Sequence, residues 1–119
     1  MDSVIKIIDY IKGKRLNLSD EKSLQNELHT ILAECLPGHI INKEFRLDGN
    51  NIPDFMIDGE LAIEVKIKGS KRSIYAQCAR YCSFDAVKYL LLISNIPMGF
   101  PKKINNKDCY YFNLSKAWL

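Results

Sequence analysis

Asp54, Glu64 and Lys66 fall within one short stretch, Ile52-Pro53-Asp54-Phe55-Met56-Ile57-Asp58-Gly59-Glu60-Leu61-Ala62-Ile63-Glu64-Val65-Lys66-Ile67, and their types suit joint chemistry. Two carboxylates that face one another repel unless a proton or a metal ion lies between them. All-oxygen ligation suits Mg²⁺ or Mn²⁺, and Mg²⁺ takes one or two carboxylates with waters and substrate phosphate oxygens. A cation held this way polarises a phosphodiester and acidifies a bound water. An amine such as Lys66 can position or deprotonate that water and offset developing negative charge. The expected reaction is phosphodiester hydrolysis.

Whether these groups meet depends on strand register. Side chains alternate along a strand, so Phe55 and Ile57 oppose Asp54 and Met56, while Leu61, Ile63, Val65 and Ile67 oppose Ala62, Glu64 and Lys66. Both apolar sets reach one core only if Ile57 pairs with Leu61 and Phe55 with Ile63, because a slip of one residue turns a strand over. That leaves a three-residue loop, Asp58-Gly59-Glu60. A two-residue Asp-Gly hairpin would pair Ile57 with Glu60 and split the apolar sets, so burial overrules the commoner turn. Asp54 then lies opposite Glu64 on one face, with Lys66 further along it. Directly opposed residues have Cβ atoms about 4.5–5.5 Å apart, near enough to share a cation.

The elements that must position this hairpin can be read outward from it. Ile40 to Leu47, Pro53 to Ile57 and Leu61 to Ile67 form a three-strand meander punctuated by Asp48-Gly49-Asn50-Asn51 and Asp58-Gly59-Glu60. A helix over Lys71 to Phe84 precedes the apolar run Tyr89 to Ile93, a central strand buried on both faces, and a helix between two strands implies a right-handed crossover. Pro97 and Pro101 mark a loop, Cys109 to Leu114 a last strand, and Lys116 to Leu119 a tail. Upstream, Val4 to Ile11 predicts a short helix ending near Gly13. A second helix begins with Ser19 as N-cap and runs to about Leu36, before Pro37-Gly38. Its apolar stripe is Leu24, Leu28, Ile31, Leu32 and Cys35. At roughly 100° per residue, with Leu24 at zero, the stripe centres near 25°, with Glu21 near 60° and Glu27 near −60°. Glu21 lies closer to the buried side, where a charge needs a partner.

Pro53-Asp54 followed by Glu64-Val65-Lys66 resembles the signature of the PD-(D/E)xK nuclease superfamily, whose fold is restriction-endonuclease-like. An upstream helical acid (Glu21, with Leu24-Gln25 after it), a strand containing Glu44-Phe45, and a downstream helix with Gln77 and Arg80-Tyr81 follow in the superfamily's order. The resemblance covers about residues 19–94 and is greatest to small phage or prokaryotic members, including virus-type replication-repair nucleases and archaeal Holliday-junction resolvases. It implies an α/β fold with a mixed central sheet flanked by helices. It also implies metal ligation by Asp54, Glu64 and the Val65 main-chain carbonyl, with Lys66 orienting the water and Glu21 as the helical acid. Gln77 would support the lysine or a phosphate. Glu27 stays open for the Glu21 role, because acid-to-motif distances vary in the superfamily.

Each motif also has a plainer reading. Glu-x-Lys on a strand is most often a solvated face, Pro-Asp a turn, and Glu21 an acid stabilised by the helix macrodipole. Between Glu64 and Lys88 six bases face two acids. Lys68, Lys71, Arg72 and Arg80 would contact nucleic-acid phosphates, or else simply solvate a turn and a helix. Lys102, Lys103 and Lys107 extend the track or keep a loop soluble. Tyr110, Tyr111, Phe112 and Trp118 read as core or interface, and His29 and His39 as surface or rim residues.

The chain has 119 residues, 47% hydrophobic and 26% charged, with a formal charge of +3, which predicts one domain over residues 1–119. Any affinity for nucleic acid must come from charge placement, since the sum is small. No run approaches the roughly 18 apolar residues of a membrane span. The start, broken by Lys6, Asp9 and Lys12, is unlike a secretory signal, so a cytoplasmic location is expected. Cys35, Cys78, Cys82 and Cys109 read as reduced, mostly buried thiols. The function expected is a Mg²⁺- or Mn²⁺-dependent deoxyribonuclease acting on duplex or branched DNA with little base readout. A homodimer would bring two sites to two strands. The alternative is a catalytically silent module of the same fold that binds nucleic acid or a partner protein.

Overall fold

The computed structural model describes residues 1–116. The expected tail beyond Lys116 and the expected role of Trp118 lie outside the described residues. The order is α1 (Asp2–Ile11), α2 (Glu21–Cys35), β1 (Ile41–Lys43), β2 (Phe55–Ile57), β3 (Leu61–Lys66), α3 (Lys71–Tyr81), β4 (Tyr89–Ser94), β5 (Lys103–Ile104) and β6 (Lys107–Asn113), closed by a 3-10 turn, Leu114–Lys116. The six strands form one mixed sheet in the order β1-β2-β3-β4-β6-β5. β1, β2 and β3 make the antiparallel meander, while β4 lies parallel to both β3 and β6. No helix among the described residues is long and apolar enough to cross a membrane.

Two apolar layers sandwich the sheet. On one face Val4, Ile7 and Ile11 of α1 and Leu24, Leu28, Ile31 and Leu32 of α2 cover Phe55, Ile57, Leu61, Ile63 and Val65. On the other face Ile74, Cys78 and Tyr81 of α3 cover Met56, Ala62, Leu90 and Leu92. Burying one such large aliphatic side chain contributes about 1.5–3 kcal/mol, so the helices that frame the site are held mainly by these layers. The four cysteines are free thiols; the Sγ atoms of Cys82 and Cys109 stand 3.9 Å apart in the layer beneath α3.

The hairpin adopts the register that apolar alternation requires, Phe55 opposite Ile63 and Ile57 opposite Leu61. The turn satisfies the local preference as well. Asp58 and Gly59 both take positive φ (53° and 69°), and the Glu60 amide donates to the Ile57 carbonyl at 3.0 Å, the closure of a tight Asp-Gly turn. Glu60 is the additional residue that reconciles turn and register. Its carbonyl is turned outward to accept from the amides of Lys88 (2.8 Å) and Tyr89 (3.1 Å).

Elsewhere the boundaries move for local reasons. α2 is capped by Asp20, not Ser19, because the Asp20 carboxylate accepts from the Ser23 amide at 2.8 Å. The strand expected over Ile40 to Leu47 is regular only through Lys43. Glu44 enters the left-handed region (φ 52°), and Pro53 opposite has no N–H with which to continue the ladder. Leu47 still reaches the Asn51 carbonyl at 2.9 Å, so the segment persists as an irregular arm. α3 ends at Tyr81, short of Phe84, as the Ser83 and Phe84 amides fold back on the Arg80 and Tyr81 carbonyls. The short β5 lay inside the expected loop.

Candidate active site

Asp54 sits one residue before β2, where the pleat has not begun. Its amide donates to Glu64 Oε1 at 3.3 Å, which joins the two acids across the neighbouring strands. Its carboxylate does not lie side by side with that of Glu64 on one face, as regular alternation would have placed it. It turns to the strand edge, where Oδ2 accepts from the Val65 amide (2.8 Å) and Oδ1 from Gln25 Nε2 of α2 (2.9 Å). A strand residue sends its N–H and C=O to the same side, so the Val65 carbonyl also faces the Asp54 edge.

Glu64 belongs to β3 and its side chain is 3% exposed. Oε1 accepts from the Tyr81 hydroxyl of α3 at 3.0 Å, and Oε2 lies 3.5 Å from Lys66 Nζ. The Tyr81 hydroxyl in turn accepts from Gln77 Nε2 at 2.8 Å. Glu64 is therefore held by a chain of side chains one helical turn apart on α3.

Both acids bind protons more tightly than free carboxylates. Burial is the main cause for Asp54, whose pKa rises to about 6; Glu21 and Glu44 add negative charge, while the Val65 amide and Lys66 oppose the rise. Burial also leads for Glu64, raised to about 8, with the charge of Asp54 second and Lys66 and Tyr81 opposing. The Tyr81 hydroxyl is raised too, by burial and by the neighbouring Glu64 charge. One ammonium cannot neutralise both carboxylates, one buried and one half-buried, so a proton or a cation must complete the balance.

The structure brings Asp54, Glu64, Val65 and Lys66 together and places Gln77 one contact behind Glu64. Glu21 also reaches this end of the sheet: its Oε1 accepts from the Ile67 amide at 2.9 Å and so ties α2 to the end of β3. Glu27 is directed elsewhere, accepting from the Asn17 amide at 2.7 Å. Lys68 and Arg80 line a groove of about 460 Å³ with Lys66 and Gln77. Lys71 and Arg72 are exposed on the first turn of α3 and do not line it.

Among the described residues no three His, Cys, Asp or Glu side chains form a metal-holding group. A cation held here would be ligated by the two acids together with main-chain and solvent or substrate oxygens.

Sequence reasoning gave no role to Gln25, Tyr81 or Asn51. Gln25 lies four residues after Glu21 and Tyr81 four after Gln77, so helical spacing alone puts each beside a named candidate. Asn51 lies in a turn and offers no such signal. No family model, curated protein or solved structure matches this chain.

Proposed function

We propose that this chain is a divalent-metal-dependent deoxyribonuclease of restriction-endonuclease-like fold, hydrolysing backbone phosphodiesters of duplex or branched DNA. The observation that carries the reading is the meeting of half-buried Asp54 and buried Glu64 across adjacent strands, with the Lys66 ammonium 3.5 Å from Glu64. The donor set fits Mg²⁺ or Mn²⁺. It is all oxygen, and it holds more negative charge than Lys66 balances. Asp54, Glu64 and the Val65 carbonyl would hold the ion, which when bound supplies Lewis acidity and a more acidic water.

The remaining work falls to the chain itself. Gln25 and the Val65 amide keep the Asp54 carboxylate oriented, and Tyr81 does the same for Glu64. Lys66, partly exposed, orients the attacking water and offsets charge building on the phosphoryl oxygens. Glu21, bound to the Ile67 amide, fixes the end of β3 that carries Lys66. Lys68, Lys71, Arg72 and Arg80 attract the backbone irrespective of base. Four free thiols suit a reducing, cytoplasmic compartment, and a homodimer would supply a site for each strand.

The test is incubation with plasmid, linear, single-stranded and branched DNA in Mg²⁺ or Mn²⁺, beside Asp54→Ala and Lys66→Ala. Cleavage by the parent that both variants lose supports the enzyme. Cleavage unchanged in both variants marks a contaminant. Binding without cutting by the parent marks a silent nucleic-acid-binding module instead.

A further inference from the structure

The groove beside Lys66 has an electrostatic character unlike the acidic node next to it. Three cations, Lys66, Lys68 and Arg80, line it and no acid does. Lys66 is partly committed to Glu64, whereas Lys68 and the two terminal nitrogens of Arg80 have no protein acceptor among the described residues. Arg80 is nevertheless not a loose surface side chain. Its Nε donates to Asn51 Oδ1 at 3.1 Å. Asn51 is buried, and both its amide (2.8 Å) and its Nδ2 (3.0 Å) donate to Asp48 Oδ1, so the turn before β2 holds the acceptor still.

A guanidinium tethered through Nε keeps its outward pair of N–H groups free and oriented. That fork matches two oxygens of a phosphate, and the lost side-chain entropy has already been spent in the free protein. Gln77 also lines the groove, and its Nε2 keeps a second proton after donating to Tyr81. Gly69 stands at the rim at φ +116°, a conformation L side chains rarely adopt.

We propose that this groove is a preformed seat for one phosphate group, clamped by Arg80 as presented by Asn51 and Asp48, with Lys68 supplying further charge. The proposal deepens the nuclease reading and rests on it for its meaning, since the seat would hold a phosphate neighbouring the one that is cut. Binding itself needs neither metal nor cleavage.

The decisive measurement is an NMR titration of metal-free protein with inorganic phosphate, following the Arg80 Nε–H signal and the amides of Gly69 and Ser73. These should shift together and saturably. Arg80→Lys keeps the charge and loses the fork, and should weaken binding about tenfold. Asn51→Ala should weaken it several-fold where it folds, and Arg80→Lys decides the matter where it does not. Asp54→Asn should bind phosphate undiminished. Saturable binding that depends on Arg80 upholds the seat even if no DNA is ever cut. Absence of those shifts, or binding indifferent to Arg80→Lys, overturns it even in a protein that cleaves DNA normally.

Discussion

The β2–β3 hairpin carries an aspartate at each end, and the two behave in opposite ways. At the closed end Asp58 is exposed. Its carboxylate is held below the ordinary range by His39, whose Nδ1 lies 2.6 Å away, and by the Ile40 amide at 2.9 Å. At the open end Asp54 also accepts two hydrogen bonds, yet its pKa is pushed up to about 6. The bond count is equal, so it is not what separates them. Asp54 has lost most of its water and has Lys66 as well as two further acids nearby, whereas Asp58 keeps its water and faces a histidine. At Asp54 desolvation outweighs the Val65 hydrogen bond and the attraction of Lys66 together. The same residue type thus makes a structural clasp at one end and a desolvated acid that holds its proton more tightly at the other.

The strongest challenge to this contrast is mutation of the two ends in parallel. Asp54→Ala or Lys66→Ala should lower DNA cleavage by at least about a thousandfold, while Asp58→Ala leaves it within a factor of about three, as read from initial rates on one plasmid substrate. Comparable losses at both ends would mean that the hairpin, not the site, had been tested.

Stability against pH separates the ends next. Raised native pKa values mean that the folded protein binds more protons than the unfolded chain between about pH 4 and pH 8, so metal-free stability falls as pH rises through that window. The slope reaches about 1.4 kcal/mol per pH unit for each proton of difference. Glu64→Gln should flatten the curve and make the protein more stable than the parent at pH 8. Added Mg²⁺ should do the same for the parent. Asp58 has the opposite sign: its contribution is present above the unfolded pKa and is lost as pH falls through the lowered native one. Denaturant unfolding at fixed pH steps measures both.

A finer cut concerns Gln25. Removing its amide with Gln25→Ala should raise the Mg²⁺ concentration for half-maximal cleavage about 10–100-fold, with less effect on the rate at saturating metal. An unchanged metal requirement would leave Gln25 as mere packing. The smallest effect is expected of His39→Ala, which should shift Tm by no more than about a few °C, because solvent-accessible polar contacts of this kind contribute little.

Much of this was legible because β alternation is a local code read against a global demand. Phe55, Ile57, Leu61 and Ile63 admit one register that buries all four, and that register alone brings Asp54 opposite Glu64. The helical angle of Glu21 placed it nearer the buried side than Glu27, and it is Glu21 that reaches the end of β3. The turn was harder, since two preferences competed and only an additional residue, Glu60, satisfied both. The orientation of the Asp54 carboxylate was illegible for a related reason: it lies just outside the pleat, where alternation no longer governs.

By itself, then, the order of residues determined the meander, its register, the central strand and which acids share one end of the sheet, because periodicity and burial suffice for those. Tertiary packing alone decided which distant donors reach them. Gln25 meets Asp54, Tyr81 meets Glu64 and Asn51 holds Arg80 only because α2 and α3 close on opposite faces of the sheet at set angles. A hydrogen bond needs two groups in place to within fractions of an ångström, and no pattern along one strand or helix carries that information about another.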